Sequence, residues 1–240
     1  MQQARITTFA VALALPFASC EETRDAEPAA GAATPATVFA ASSLRELVTA
    51  IAEEHGRRAG VTHRLQFDST STLARQIGES APADLFLTAA PEWLDQVATL
   101  ERCDWLTNRL VLVVPKEGLD VELAKLPSLA MANEQVPAGK YARAALAHLG
   151  IALPERVILG ESVRDVLSKV SEGGAAAGIV YATDAAIDPN VRIASTFPIE
   201  SHPKILYSVG VLTPAGKALG DALREPWALD LARNHGFEGL

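Results

Sequence analysis

Thr37-Val38-Phe39-Ala40-Ala41-Ser42-Ser43-Leu44 is a short β-prone run that ends in two hydroxyl side chains and passes straight into an amphipathic pattern. From Leu44 to Arg58 the apolar residues Leu44, Leu47, Val48 and Ile51 fall on one face of a 3.6-residue period. Ser42 and Ser43 stand where a helix N-cap is expected. The same unit repeats downstream. Thr62 to Phe67 alternates as a strand, and Thr72 to Gly78 reads as a short helix. Ala83 to Thr88 is a strand, followed by a helix from Pro91 to Leu100 with proline in its first turn. Leu110 to Val114 is a continuous apolar strand closed by Pro115. Strand alternating with helix predicts an α/β fold with a mostly parallel, doubly wound sheet.

The pattern then restarts. Strands are expected at Ser128–Ala132, Arg156–Leu159, Ala176–Tyr181, Val191–Thr196 and Ile205–Leu212. Helices are expected at Gly139–Leu149, Val163–Ser171 and Thr183–Ala186, with a terminal helical stretch from Pro214 to Phe237 that Pro226 interrupts. Two such units in tandem predict two lobes around a cleft, since ligands of open α/β sheets sit beyond the carboxyl ends of the strands. The expected division is 37–112 plus 206–240 for the first lobe and 113–205 for the second. Leu110–Val114 and Ile205–Leu212 are read as the crossings.

Residues 1–20 stand apart from this fold. Ile6 to Ala18 is apolar and of signal-peptide length, too short to span a bilayer comfortably. It ends in Leu15-Pro16-Phe17-Ala18-Ser19-Cys20, small residues before a cysteine as in a lipobox, which makes Cys20 the expected site of lipid attachment. Residues 21–36, rich in Ala, Glu, Pro and Thr, read as a flexible linker. The other cysteine, Cys103, is left alone and reads as a small core residue. The five histidines are scattered without ligand spacing and read as surface or capping residues. A formal net charge of −8 makes nucleic acid and anionic membrane surfaces poor partners.

Five segments have the make-up of anion-gripping turns: Ala40–Leu44, Ser69–Leu73, Val136–Gly139, Ser162–Asp165 and Gly178–Tyr181. They offer hydroxyls, small residues and the free N–H groups of helix starts, and almost no cation. Each also has a plainer reading. Ser43 serves as a simple cap, the Ser69-Thr70-Ser71-Thr72 run as a solvated loop, and Tyr181 as a half-buried core residue. Val136–Gly139 and Val163 have only backbone to offer, with Gly139 permitting close approach. Asp165 and Asp184 read as stabilising helix starts or turns. There is no Gly-x-Ser-x-Gly elbow and no phosphate loop.

Phe39–Leu44, Ser71–Ile77, Ala81–Phe86, Asn108–Pro115, Val136–Tyr141 and Gly178–Ala185 together resemble the periplasmic molybdate-binding receptors of bacterial ABC importers, over almost everything from Thr37 to Phe237. That resemblance implies a type II, two-lobed binding-protein fold, each lobe a mixed, mainly parallel sheet flanked by helices. It implies a receptor rather than an enzyme, with molybdate or tungstate as ligand and no cofactor. An ABC permease is the implied partner, the chain a monomer, and the membrane is reached only through a lipid anchor at Cys20. The implied oxyanion contacts are Ser43, Thr70, Ala138, Val163 and Tyr181, with Ser42 and Ser71 as possible further ones. Where Thr70 stands, many members of the family have serine. Four helix N-termini of about +0.5 each sum to roughly +2, enough to balance a dianion without a buried cation. Such a donor cage disfavours phosphate, which is partly protonated, but not sulfate. The alternatives are a receptor for sulfate or another oxyanion, an envelope serine hydrolase using Ser43 or Ser71, and a purely structural lipoprotein.

Overall fold

The computed structural model describes residues 34–118 and 122–240. The expected export segment, Cys20 and most of the linker lie outside the described residues.

The first sheet is built around β1 (Thr37–Ala41), whose last four residues are buried. It pairs in parallel with β2 (Arg64–Asp68) on one side and β3 (Leu85–Thr88) on the other. The register sets Ala41 beside Asp68 and Ala40 beside Leu87. All three strands therefore end at the same edge, and whatever follows them is delivered to one place. After β1 comes a single 3₁₀ turn, Ser42–Leu44, then α1 (Arg45–Ala59). The expected serine cap is absent: Ser42 and Ser43 lie inside the turn and make no capping hydrogen bond. After β2 comes α2 (Thr70–Gly78), which is capped, by Ser69 accepting from the Thr72 N–H.

The helix expected over Pro91–Leu100 is reduced to a 3₁₀ segment, Pro91–Gln96. Val97 takes extended backbone at its end. The chain then forms a strand the sequence did not announce, β4 (Glu101–Thr107). Its Glu, Arg and Asp residues mask the alternation, and its place in the sheet is set by antiparallel pairing with the returning strand near the C-terminus.

The second sheet begins with β5 (Leu110–Pro115), followed by β6 (Leu129–Ala132), α3 (Pro137–His148), β7 (Val157–Gly160), α4 (Val163–Ser171), β8 (Ala177–Tyr181), α5 (Ala182–Ile187) and β9 (Val191–Thr196). The strand order is β7-β6-β8-β5-β9, with β6 parallel to β7 and β8 and β5 antiparallel to β8 and β9. Again three parallel strands end together: Ala132 lies beside Gly160, and Tyr181 closes β8. The chain returns to the first sheet with β10 (Leu206–Val211), α6 (Lys217–Ala222), α7 (Pro226–Asn234) and β11 (Glu238–Gly239). Pro226 opens α7 at its first turn, so it starts a helix as well as interrupting the terminal stretch.

Both sheets are mixed, as expected, but parallel pairing is confined to the β1–β3 and β6–β8 sets. Strands β4, β5, β9, β10 and β11 add antiparallel edges. The expected boundary at residue 112 falls inside β5, all of which pairs in the second sheet. A buried apolar strand is needed there between β8 and β9, so the crossings are the segments ahead of β5 and β10: Asn108-Arg109 and residues 197–205. Among the described residues no helix is long and apolar enough to cross a membrane.

Candidate functional site

The carboxyl ends of the two parallel strand sets face each other across one small cavity. It is lined by Ala41, Ser42 and Ser43 after β1, Ser69 and Thr70 after β2, and Ala89 after β3. From the second lobe come Val136, Pro137 and Ala138 after β6, Val163 after β7, and Tyr181 at the end of β8. All five residues expected to contact an oxyanion line this one space, and so does Ser42. Ser71 does not. Its hydroxyl lies 3.3 Å from that of Ser69, within the capping group of α2. A larger, open groove near Pro91, Asp95 and Arg102 is walled partly by charges that pair with each other, Arg102 meeting Asp95 at 2.5 Å.

The lining hydroxyls are buried: Ser43 is 3% exposed, Thr70 2% and Tyr181 1%. Their partners differ. The Thr70 Oγ1 accepts from the Ala89 N–H at 3.1 Å. The Ser43 Oγ accepts from the Tyr207 hydroxyl at 3.0 Å. Since each oxygen already receives a proton from behind, each keeps its own proton to give. The Tyr181 hydroxyl has no partner at all. An unpartnered buried hydroxyl costs free energy, on the order of 1–3 kcal/mol, and a ligand at the cavity would relieve it. Burial pushes the Tyr181 and Tyr207 phenols well above their ordinary range, so both remain protonated donors.

Ala138 and Val163 bring no polar side chain. Each lies in the first turn of its helix, α3 or α4, where backbone N–H groups lack intrahelical acceptors. The glycine after Ala138 has a different use from the one expected. A Cβ on Gly139 would sit 1.9 Å from the Asn133 carbonyl oxygen. The close approach it permits is that of α3 to the end of β6, which sets where the helix start points.

One cation stands beside the site, and it is neutralised. Arg164, next to Val163 on α4, makes a bidentate bridge to Glu46 on α1, at 3.0 and 2.5 Å, and pairs with the fully buried Asp184. Burial raises the Asp184 carboxyl to about 6 even with Arg164 opposing. Burial would raise Glu46 too, but the hydrogen bonds and charge of Arg164 hold it below its usual range. The bridge also ties the two lobes together. So does the Tyr141 hydroxyl, which donates to the Ala89 carbonyl at 3.4 Å. Asp165 accepts from the Glu161 N–H ahead of α4, in keeping with the helix-start role read for it.

Sequence reasoning missed Ala89, which lines the cavity, and Asn108 and Tyr207, which lie behind it. Asn108 stands in the crossing between β4 and β5 and Tyr207 within the apolar run of β10, where no spacing marks a polar role. Among the described residues no group of three or more His, Cys, Asp or Glu could hold a metal ion. Cys103 is free and packs partly against the core, in agreement with its reading. His202 is buried rather than superficial.

Two α/β lobes that present inward donors to one small cavity, with no nucleophile–base pair in it, define a solute-binding protein. The chain belongs to the bacterial extracellular solute-binding protein family, whose model matches residues 36–238. It is 36% identical over 225 residues to the molybdate-binding protein ModA of Escherichia coli (strain K12), covering 84% of this chain and 88% of that protein. It is 28% identical over 222 residues to the putative ABC transporter substrate-binding lipoprotein YvgL of Bacillus subtilis (strain 168), covering 84% and 85%. The fold matches the periplasmic molybdate-binding protein of Azotobacter vinelandii with a TM-score of 0.75, at 21% identity, over 84% of this chain and 98% of that one.

Proposed function

We propose that this protein is an extracytoplasmic receptor that captures molybdate or tungstate and delivers it to an ABC permease. The observation that carries this reading is the convergence of Ser43, Thr70, Ala138, Val163 and Tyr181 on one cavity that is rich in donors and free of cations. Molybdate and tungstate are dianions at neutral pH, with four acceptor oxygens and no proton. The cavity offers the hydroxyl protons of Ser43, Thr70 and Tyr181 and the N–H groups of helix starts, which together match that ion in both charge and hydrogen-bonding sense. The two lobes each hold part of the set, so the ligand favours the closed arrangement by contacts the open one lacks. A monomer attached to the membrane through a lipid on Cys20 completes the proposal. Attachment would keep the receptor near its permease without a membrane-spanning helix.

Calorimetric titration with molybdate, tungstate and sulfate tests the ligand. The expected result is tight binding of the first two, with melting temperature rising with ligand concentration. Heat from sulfate alone would make this a sulfate receptor. Labelling of cells with a radioactive fatty acid, compared between the wild type and Cys20→Ala, tests the anchor. Absence of label on the wild type would remove it.

A further inference from the structure

We propose that Asp184 takes up a proton when the oxyanion is captured, so that the receptor closes on its ligand and one proton together. This rests on the oxyanion-receptor reading above and concerns a residue that does not line the cavity.

Asp184 stands in the first turn of α5, just after Tyr181, and is fully buried. Its two carboxylate oxygens are treated unequally. The Oδ1 accepts from the Nε–H of Arg164. The Oδ2 is buried and has no hydrogen-bond partner. A charged oxygen that meets neither water nor a donor is costly in a protein interior, and a proton on it removes the charge. Arg164 relieves that cost only in part, because the other two nitrogens of its guanidinium donate to Glu46. One cation thus faces two carboxylates. Burial first, and the Glu46 charge after it, raise Asp184 to about 6 against the opposing pull of Arg164.

Other charged groups near α5 have partners of their own. The elements packed against α5 are α4, β5, β8 and β9. On α4, Asp165 and Lys169 pair with each other. No residue of β5 titrates, and β8 ends in Tyr181. On β9, Arg192 donates to the Gly118 carbonyl at 3.1 Å. From the first lobe, Glu46 and the Tyr207 hydroxyl both feel the Asp184 charge.

Tyr181 ties this carboxylate to the ligand site. It lines the cavity, and the charge of Asp184 already bears on its hydroxyl. A dianion against that hydroxyl brings two more negative charges within the same reach, where water and salt screen poorly. Lobe closure brings up Glu46, which meets Arg164 only when the lobes are docked. Both events strengthen the hold of Asp184 on a proton. By linkage the converse is also true, and a protonated Asp184 favours the ligand and the closed arrangement. The proton comes from solvent and forms one new bond, to Oδ2. Above about pH 6 the empty receptor keeps Asp184 ionised, so capture draws a proton in and affinity rises as pH falls. Below about pH 6 the empty receptor already carries the proton, and the affinity levels off.

Titration calorimetry with molybdate at neutral pH, in two buffers of different ionisation enthalpy, counts the protons exchanged by wild type and Asp184→Asn. Asparagine keeps the shape of the side chain and cannot titrate. The wild type is expected to take up about half a proton per ligand, with affinity rising about threefold per unit of pH from about 8 down to about 6. In Asp184→Asn the uptake is expected to vanish and the affinity to become flat over that range. Should Asp184→Asn not fold, Glu46→Gln takes its place. With the Glu46 charge gone, the pH of largest uptake is expected to fall. Three results would overturn the proposal while the receptor reading stands: molybdate binding without proton uptake in the wild type, equal uptake in Asp184→Asn, or an unmoved maximum in Glu46→Gln. If the wild type binds neither molybdate nor tungstate, the receptor reading falls as well.

Discussion

On its first-lobe side the cavity is faced by Ser43 and Thr70, whose oxygens already accept hydrogen bonds from Tyr207 and from the Ala89 N–H. On its second-lobe side it is faced by Ala138 and Val163, which offer backbone alone, and by Tyr181, whose buried hydroxyl has no partner. The first wall's oxygens have partners without a ligand; the second wall carries a hydroxyl that has none. The difference teaches that the two walls respond differently to an empty site. Removing a first-wall hydroxyl damages the protein and the binding together, whereas removing the Tyr181 hydroxyl damages only the binding. Completion of the second wall is then where ligand and lobe closure are coupled.

The largest effect is expected from the geometry beneath the second wall. Gly139→Ala forces a Cβ against the Asn133 carbonyl, 1.9 Å away, with the Ala132 carbonyl oxygen at 2.4 Å. Neither backbone group can yield cheaply. The expected cost is about 3 kcal/mol of stability, read by thermal melting. Affinity for molybdate should fall with it, because the start of α3 is carried off its position. Full affinity in a destabilised variant would mean that the Ala138 region contributes no contact.

The middle-sized effects compare the walls directly. Ser43→Ala should weaken molybdate binding by about 1–3 kcal/mol, since a donor to a charged group is lost. It should also lower the melting temperature of the ligand-free protein, because the Tyr207 hydroxyl loses its acceptor in a buried setting. Tyr181→Phe should weaken binding by about 1–2 kcal/mol, yet leave the ligand-free melting temperature unchanged or raised, since the group removed had no partner. Titration and ligand-free melting of both variants suffice. If the two ligand-free proteins move in the same direction, the contrast between the walls is wrong.

Much of this was legible in the sequence, for identifiable reasons. The helix α4 and the strand β9 follow patterns long and clean enough to give their bounds outright. The segments around the cavity were legible as strand-to-helix turns, but each alone reads equally as a cap or loop, and the individual residues came from the family resemblance. Strand β4 was hidden because its order comes from a partner more than ninety residues away, as Cys103 pairs with Val209. The Ser42-Ser43 cap was misread for a related reason. Local propensity favours serine at a cap, but the register of β1 places these residues inside a turn that faces the opposite lobe. Tyr207 was invisible as a polar group because β10 looks entirely like core until Ser43 is brought to it across 164 residues of sequence. Polarity that serves a distant residue leaves no local pattern.

The smallest expected effect lies at the rim, where the walls are tied rather than lined. Arg164 on α4 grips Glu46 on α1 with both arms of its guanidinium. The pair spans the lobes, so it exists only when they are docked, and breaking it should act on release rather than capture. Bidentate geometry and partial burial place it above an ordinary surface pair, but Glu46 is 36% exposed, which limits the gain. Glu46→Gln should cost about 1 kcal/mol, or roughly a fivefold faster dissociation, with association unchanged. A second ion pair between the lobes is the natural control. Lys140 and Glu92 approach only to 3.5 Å and both are about half exposed, so Glu92→Gln should change neither rate measurably. Stopped-flow mixing with molybdate, followed by tryptophan fluorescence, reads both rates. A slower association in Glu46→Gln would mean that the pair forms before the ligand arrives, and equal effects from the two variants would mean that rim charge alone is being sensed.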